Sequence, residues 1–105
     1  MPSARRGEVW QVDLGLAAKV RPALILNIPF LDHERAVYAV VPHTTAIRNT
    51  RFEVRLAVTG IESGAFDVQG LRHVPGTVLL RRLAVLSEIQ ITEVETAAKL
   101  WLGFK

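Results

Sequence analysis

The chain has 105 residues, of which 50% are hydrophobic and 22% charged, a composition typical of one folded domain and not of a disordered chain. It contains no cysteine, which excludes disulfides and thiolate chemistry. The formal net charge is +3, and only Lys19, Lys99 and Lys105 among its 13 basic residues are lysines. This arginine bias favours a polyanionic partner, because a guanidinium binds a phosphate through two parallel hydrogen bonds.

The termini and apolar runs give no sign of export or of a membrane. Residues 1–6 carry charge with no apolar run behind them, so we expect no signal peptide. The longest apolar runs, such as residues 36–41, are far shorter than the roughly 18 residues that a membrane-spanning helix needs. We therefore expect a soluble, cytoplasmic protein in which residues 1–105 form a single domain.

The first half of the chain predicts three strands, rich in β-branched and apolar residues. The predicted strands are residues 7–14, 23–26 and 36–41. Pro22 biases Arg21 towards an extended conformation, which places this arginine just before the second strand. The third strand is expected to end at Pro42 and to present His43, Thr44 and Thr45 directly afterwards.

The second half predicts further strands. Residues 51–56 alternate, with Phe52, Val54 and Leu56 on one face, which is typical of a half-exposed strand. Residues 65–74 are expected to form another strand with a bulge at Gly70. Residues 77–86 fit either a strand or a short helical turn.

A helix is predicted at the C-terminus. Ser87 and Gln90 have the spacing of a capping box, and Gly103 stands where a helix would end. The predicted buried stripe comprises Ile91, Val94, Ala98 and Trp101, widened by Ala97 and Leu102. Several short strands and one amphipathic helix predict a mainly β protein, with a small, strongly bent sheet or barrel covered on an open side by the helix.

Several kinds of site are absent from the sequence. No glycine-rich phosphate loop follows a strand, and no serine stands in a nucleophile-elbow pattern. His33, His43 and His73 lack the spacing of a zinc site. We therefore expect no cofactor and a mechanism without a metal.

Arg21 and Thr44 are the leading candidate pair. If their two strands are antiparallel neighbours, the start of one lies beside the end of the other, and the two side chains approach each other. A guanidinium and a hydroxyl together suit a phosphodiester. The alternatives are a surface ion pair for Arg21 and local hydroxyl turns for Thr44 and Thr45. An extended strand would point His43 away from Thr44.

Other polar residues admit two interpretations. Arg48, Arg51 and Arg55 fit either a phosphate track or a solvated strand face. Gln69 and Arg72, with Asp67, could reach a ligand or could form an ordinary polar face. Trp10 and Trp101 fit the core better than a base-stacking platform.

Several motifs follow one another in a distinctive order. They are RGEVWQVDL at 6–14, VRPALIL at 20–26, VPHTT at 41–45, RFEV at 51–54 and QGLR at 69–72, followed by Arg82-Leu83 and the helix. This set resembles the MazF/PemK toxins over nearly the whole chain. The resemblance implies a barrel related to the SH3 fold, of the MazF/PemK/CcdB type. It also implies a homodimer, a cognate antitoxin and metal-independent, sequence-specific cleavage of single-stranded mRNA.

By position, the resemblance makes Arg21 and Thr44 catalytic and makes Thr45, Arg48, Gln69 and Arg72 RNA contacts. It implies attack of a 2′-hydroxyl on the adjacent phosphate, with no metal. Only residues 15–20 separate Leu14 from Arg21, where many members have a longer loop with a Gly-Ser-Glu-Gln element.

Two other functions are open at this point. The first is a gyrase poison similar to the CcdB toxins, suggested by a Trp and a Gly near the C-terminus, at residues 101 and 103. The second is a barrel that binds RNA without cleaving it.

Overall fold

In a computed structural model, which describes residues 3–17 and 19–105, seven strands precede one C-terminal helix. The strands are β1 (Glu8–Asp13), β2 (Val20–Ile25), β3 (Val37–Thr44), β4 (Glu53–Arg55), β5 (Ala65–Asp67), β6 (Arg72–Pro75) and β7 (Leu79–Val85). Two 3-10 turns, Val68–Gly70 and Gly76–Val78, separate the last three strands, and the helix α1 is Glu88–Leu102. The mainly β fold with a C-terminal helix is confirmed.

The sheet is antiparallel and centred on β3. Its strand order is β4-β5-β3-β2-β1-β7. β6 pairs with the first half of β3, and β5 pairs with the end of β3 on the same side. β4 and β7 do not pair with each other among the described residues, so the sheet bends like a barrel without closing. No helix in the described part of the chain is long and apolar enough to span a membrane.

Apolar side chains on both faces of the sheet form the core. One cluster includes Val9, Leu24, Val41 and Phe66 and continues into the helix. The other lies on the opposite face and includes Ala23 and Val40 with neighbouring apolar residues. Because side chains alternate along a strand, neighbours such as Val40 and Val41 contribute to different clusters.

The predicted helix boundaries are confirmed by their caps. The Ser87 side chain accepts a hydrogen bond from the Gln90 N–H, and the Gln90 side chain accepts one from the Ser87 N–H. Gly103 ends the helix in the left-handed conformation, with φ of 80°. Four residues of the predicted stripe are buried, namely Ile91, Val94, Ala97 and Ala98, whereas the last turn is exposed and Trp101 only contacts the edge of Phe52.

Several predicted strand boundaries are wrong. β2 begins at Val20, so Arg21 lies inside the strand, and β3 continues through Pro42 to Thr44. Pro42 is tolerated because its Cα partner, Ala23, is in the last pair of β2 with β3.

The second half also differs from prediction. The alternating segment is strand only at Glu53–Arg55, and Gly70 lies in a 3-10 turn that divides the predicted strand, not in a bulge. A side chain at Gly70 would put Cβ 2.6 Å from the Pro42 Cγ, so the turn needs glycine there because the chain comes close to β3. Residues 77–86 contain both expected structures, the end of the second 3-10 turn and then β7.

The capping box predicts a measurable contribution to stability. Ser87→Ala should lower the free energy of unfolding by about 1 kcal/mol, because the Gln90 N–H loses its acceptor. Urea denaturation of both proteins measures the loss. Ser63→Ala, in an exposed loop, is the control and should change stability by less than about 0.5 kcal/mol. Equal losses in the two variants would contradict this role of the cap.

Candidate functional site

The site begins where β2 and β3 separate. Their antiparallel pairing runs from Ile25↔Val40 to Ala23↔Pro42. Arg21 and Thr44 each lie two residues beyond the last pair, where the strands separate. Alternation places both on the face of Ala23 and Val40, so the predicted antiparallel arrangement of the two strands is confirmed.

Arg21 and Thr44 line one cleft with a volume of about 360 Å³. Arg48, Gln69 and Arg72 line the same cleft. The structure therefore brings five of the six predicted site residues together. The sixth, Thr45, lines a neighbouring cleft.

The Thr44 hydroxyl is held in a defined orientation. Its Oγ1 accepts a hydrogen bond of 3.1 Å from the Ala46 N–H, which is the local hydroxyl turn considered from the sequence. A hydroxyl that accepts one hydrogen bond still carries a proton to donate. The turn and a ligand-binding role are therefore compatible.

Glu53 holds the loop that carries Arg48. Its carboxylate accepts hydrogen bonds from the Arg48 N–H at 3.0 and 3.1 Å and from the Thr50 N–H at 3.1 Å. The hydrogen bond from Thr50 is the main reason why the pKa of Glu53 lies below its usual value, and the amides of Arg48 and Asn49 lower this pKa further. The alternation of residues 51–56 assigned Glu53 to a solvated face. It missed this role because strand periodicity gives no information about the conformation of the preceding loop.

Asp67, the other carboxylate that lines the cleft, also accepts a hydrogen bond from a backbone amide. Asp67 Oδ1 accepts a hydrogen bond of 3.0 Å from the Gln69 N–H and so caps the 3-10 turn. Arg72 Nε donates to the Gly70 carbonyl at 3.1 Å, which fixes the plane of its guanidinium. The three guanidinium groups of Arg21, Arg48 and Arg72 outnumber the two carboxylates, so the cleft carries a net positive charge.

His43 is buried beside the cleft and faces the opposite side of the sheet from Thr44. Its ring packs edge-on against Phe66, with centroids 5.1 Å apart, and it is only 3% exposed. Its Nε2 atom is buried without a hydrogen-bond partner among the described residues. Burial lowers the pKa of His43, and the nearby charge of Glu62 opposes this effect only in part.

The remaining candidates lie outside this cleft. Arg51 packs over the Phe52 ring, 4.6 Å from its centroid, and Arg55 donates a hydrogen bond to Asn49. These contacts fit the solvated-face interpretation better than a phosphate track. Trp10 is half-buried, and its Nε1–H donates to Glu8 at 3.0 Å, whereas Trp101 is 45% exposed.

Comparison with known proteins identifies a related family. The sequence profile of a family described as the PemK-like, MazF-like toxin of type II toxin–antitoxin systems matches residues 5–102.

Solved structures have the same fold. An endoribonuclease in complex with its cognate antitoxin, from a mycobacterial species, has a TM-score of 0.84 at 21% identity, covering 98% of each chain. The MazE–MazF complex of Deinococcus radiodurans gives 0.82 at 20% identity over 100% of each chain. Mycobacterium tuberculosis toxin MazF-mt6 gives 0.79 at 23% identity over 93% of this chain and 98% of that one.

The buried imidazole predicts a pH-dependent stability. Because the pKa of His43 is lower in the folded than in the unfolded chain, the unfolded chain binds a proton at this residue more readily. The free energy of unfolding should therefore fall as the pH drops below the unfolded value of 6.5. Urea denaturation between pH 7.5 and 5.5, a range set about the histidine pKa, measures the slope.

His43→Leu should flatten this slope, whatever its effect on stability at pH 7.5. His33→Asn is the matched control, because His33 is exposed in the loop before β3, and it should keep the wild-type slope. A wild-type slope in His43→Leu would refute the assignment.

The Glu53 carboxylate predicts local protection from hydrogen exchange. Glu53→Gln replaces hydrogen bonds to a charged group with weaker neutral ones, so the Arg48 and Thr50 amides should exchange severalfold faster. Amide exchange followed by NMR measures this directly. Glu93→Gln, on the exposed side of α1, should leave both rates unchanged. Unchanged rates in Glu53→Gln would show that the loop is held by other contacts.

Proposed function

Because the chain belongs to the PemK-like, MazF-like toxins of type II toxin–antitoxin systems, we propose that it is an endoribonuclease that cleaves single-stranded mRNA. The observation that carries the proposal is the register of β2 and β3, which brings Arg21 and Thr44 to one cleft with two further arginines. The solved structures named endoribonuclease or MazF, which share the fold, support the same activity.

In the proposed reaction the 2′-hydroxyl of one nucleotide attacks the adjacent phosphorus. The bond from phosphorus to the 5′-oxygen of the next nucleotide breaks. Water accepts the proton of the attacking 2′-hydroxyl and supplies a proton to the leaving 5′-oxygen. The products are a 2′,3′-cyclic phosphate and a free 5′-hydroxyl. Charge accumulates on the non-bridging oxygens of the five-coordinate phosphorus, so groups fixed in advance near those oxygens lower the barrier.

Arg21 is assigned to that charge. Its guanidinium acts there as a cation and as a hydrogen-bond donor to the phosphate oxygens. Thr44 donates its remaining hydroxyl proton to a phosphate oxygen, with its orientation set by the Ala46 N–H. Both groups are proposed to act on the same phosphate, and their positions on β2 and β3 place them in the same cleft.

Arg48, Gln69 and Arg72 are proposed to bind the RNA around the reacting phosphate. Arg48 and Arg72 are exposed and contribute positive charge. Gln69 lies in the capped 3-10 turn, where its amide can both donate and accept hydrogen bonds with a base edge. Thr45 is proposed as a further contact from the neighbouring cleft.

The partners and setting of the toxin are part of the same proposal. We propose a cytoplasmic homodimer of single-domain chains, 1–105, that needs no metal and is neutralised by a cognate antitoxin. The mycobacterial endoribonuclease and the Deinococcus protein, each solved with its antitoxin, support that partner. The end of α1 exposes apolar side chains, at Leu100, Trp101 and Leu102, that a protein partner would bury.

The catalytic assignment makes a direct prediction. Arg21→Ala and Thr44→Ala should each lower the rate of RNA cleavage by about 10²–10³-fold, the usual cost of removing one donor to a developing oxyanion. Thr44→Ser should retain more activity than Thr44→Ala because it keeps the hydroxyl. Cleavage of labelled single-stranded RNA in EDTA, with identification of the cyclic-phosphate end, measures these effects.

Arg35→Ala is the control, since Arg35 is exposed and lies outside the cleft, and it should leave the rate unchanged. Full activity in Arg21→Ala or Thr44→Ala would refute the assignment. RNA binding without product would instead indicate a binding barrel, and gyrase-dependent DNA breaks in expressing cells would indicate the gyrase poison.

A further inference from the structure

A second cleft of about 440 Å³ lies next to the first. Arg21 and His43 line both clefts, so these residues of β2 and β3 form the boundary between them. Thr44 lines the first cleft and Thr45 the second. The end of β3 therefore supplies one hydroxyl to each cleft.

The two clefts meet because the central strands diverge. Beyond the Ala23↔Pro42 pair, β2 continues to pair only with β1, through Arg21↔Val12. β3 instead continues with β5, through Thr44↔Ala65. The resulting gap opens at this end of the two strands, and Arg21 lines both of the clefts that meet there.

The second cleft is basic. The residues that give it positive charge are Lys19, Arg21 and Arg81, against one carboxylate, Glu62. No Trp, Tyr or Phe is among the described residues that line it. The His43 ring also lines it but is buried against Phe66 and offers no open face to a base. A basic cleft of this kind suits a phosphate better than a base.

The backbone of Lys19 is held by hydrogen bonds in its own turn. The turn between β1 and β2 is closed by the hydrogen bonds Leu14 N–H to Lys19 carbonyl, 2.9 Å, and Lys19 N–H to Gly15 carbonyl, 2.6 Å. Lys19 has φ of 58°, a left-handed conformation that few lysines adopt. This short turn therefore places Lys19 in the lining of the second cleft.

Arg81 is aligned across the sheet. Gln11 of β1 is the Cα partner of both Pro22 in β2 and Arg81 in β7. The Arg81 Nε–H donates to the Gln11 Oε1 at 3.3 Å, which orients the guanidinium and leaves its two NH₂ groups for an anion.

We propose that the second cleft is a subsite for the backbone of the same RNA strand. While Arg21 and Thr44 hold the reacting phosphate, Lys19, Thr45 and Arg81 bind the phosphate of a neighbouring nucleotide. The strand thus passes through the gap between β2 and β3, with Arg21 between two phosphates. This inference rests on the proposed function. Contacts to phosphate alone strengthen binding without reading sequence.

Salt dependence of RNA binding tests the subsite. The probe is a fluorescent 2′-O-methyl copy of an RNA that the wild-type protein cleaves, since it lacks the attacking hydroxyl. Each lost phosphate contact lowers the slope of log affinity against log salt concentration by about 0.7 for a single strand. Because both cations bind the same phosphate, the double variant Lys19→Gln/Arg81→Gln should lower the slope by about 0.7, and each single variant by less.

Arg35→Gln/Lys105→Gln is the matched control, because it removes the same charge from exposed positions outside both clefts. It should keep the wild-type slope. On cleavable RNA, the Lys19→Gln/Arg81→Gln variant should raise KM and leave kcat within about twofold, as expected for lost binding in the ground and transition states alike. A wild-type slope and KM in this variant, with wild-type cleavage intact, would overturn the subsite and leave the proposed function standing. A wild-type protein that cuts no RNA would overturn both.

A second measurement identifies the phosphate. Single neutral methylphosphonate linkages are placed in turn on either side of the cleavage point in the same probe. One neighbouring linkage should weaken binding to the wild-type protein and have a much smaller effect on Lys19→Gln/Arg81→Gln. Equal effects on both proteins at every linkage would overturn the inference, because the loss would then be independent of these cations.

Discussion

The geometry of the site depends on the divergence of two strands that start as neighbours. β3 pairs with β6 from Val37 to Val40, with β2 from Val40 to Pro42 and with β5 from His43 onwards, so it has a partner strand along its whole length. After Ala23↔Pro42 each strand follows its other neighbour, and the sheet opens. Side chains on both sides of this opening line one cleft and are reached by solvent. An arginine and a threonine occupy those positions.

The opening is kept narrow by glycines on the β5 side. A Cβ at Gly64 would lie 2.2 Å from the Thr44 carbonyl oxygen, and one at Gly70 would lie 2.6 Å from the Pro42 Cγ. No side chain fits at either position without moving β3. The 3-10 turn that carries Gln69 therefore packs directly on the Pro42 ring, which holds this wall of the cleft close to β3.

The acidic and the basic residues of the cleft have different roles. The carboxylates of Glu53 and Asp67 bind backbone amides and so shape the loops, while three arginines in the same cleft supply positive charge. The helix packs against β4 and against the first 3-10 turn, the elements that carry Glu53 and Gln69. The apolar face of the helix thus supports the cleft wall without contributing a residue to it.

The sequence by itself determined the class of fold and the main candidates. Alternating and apolar runs indicated the strands, the Ser87–Gln90 box and Gly103 gave the helix ends, and the ordered motifs pointed to Arg21 and Thr44. These features are local, because a cap or a strand period is set by residues a few positions apart.

Only the tertiary structure decided how those residues meet. The extension of β3 through Pro42 and the close approach of Gly70 to that proline depend on contacts between segments distant in sequence. The second cleft is the clearest case, since its basic residues come from the turn before β2 and from β7, about 60 positions apart. Strand periodicity assigns a residue to a face, but only the register of the assembled sheet determines which residues from other strands share that face.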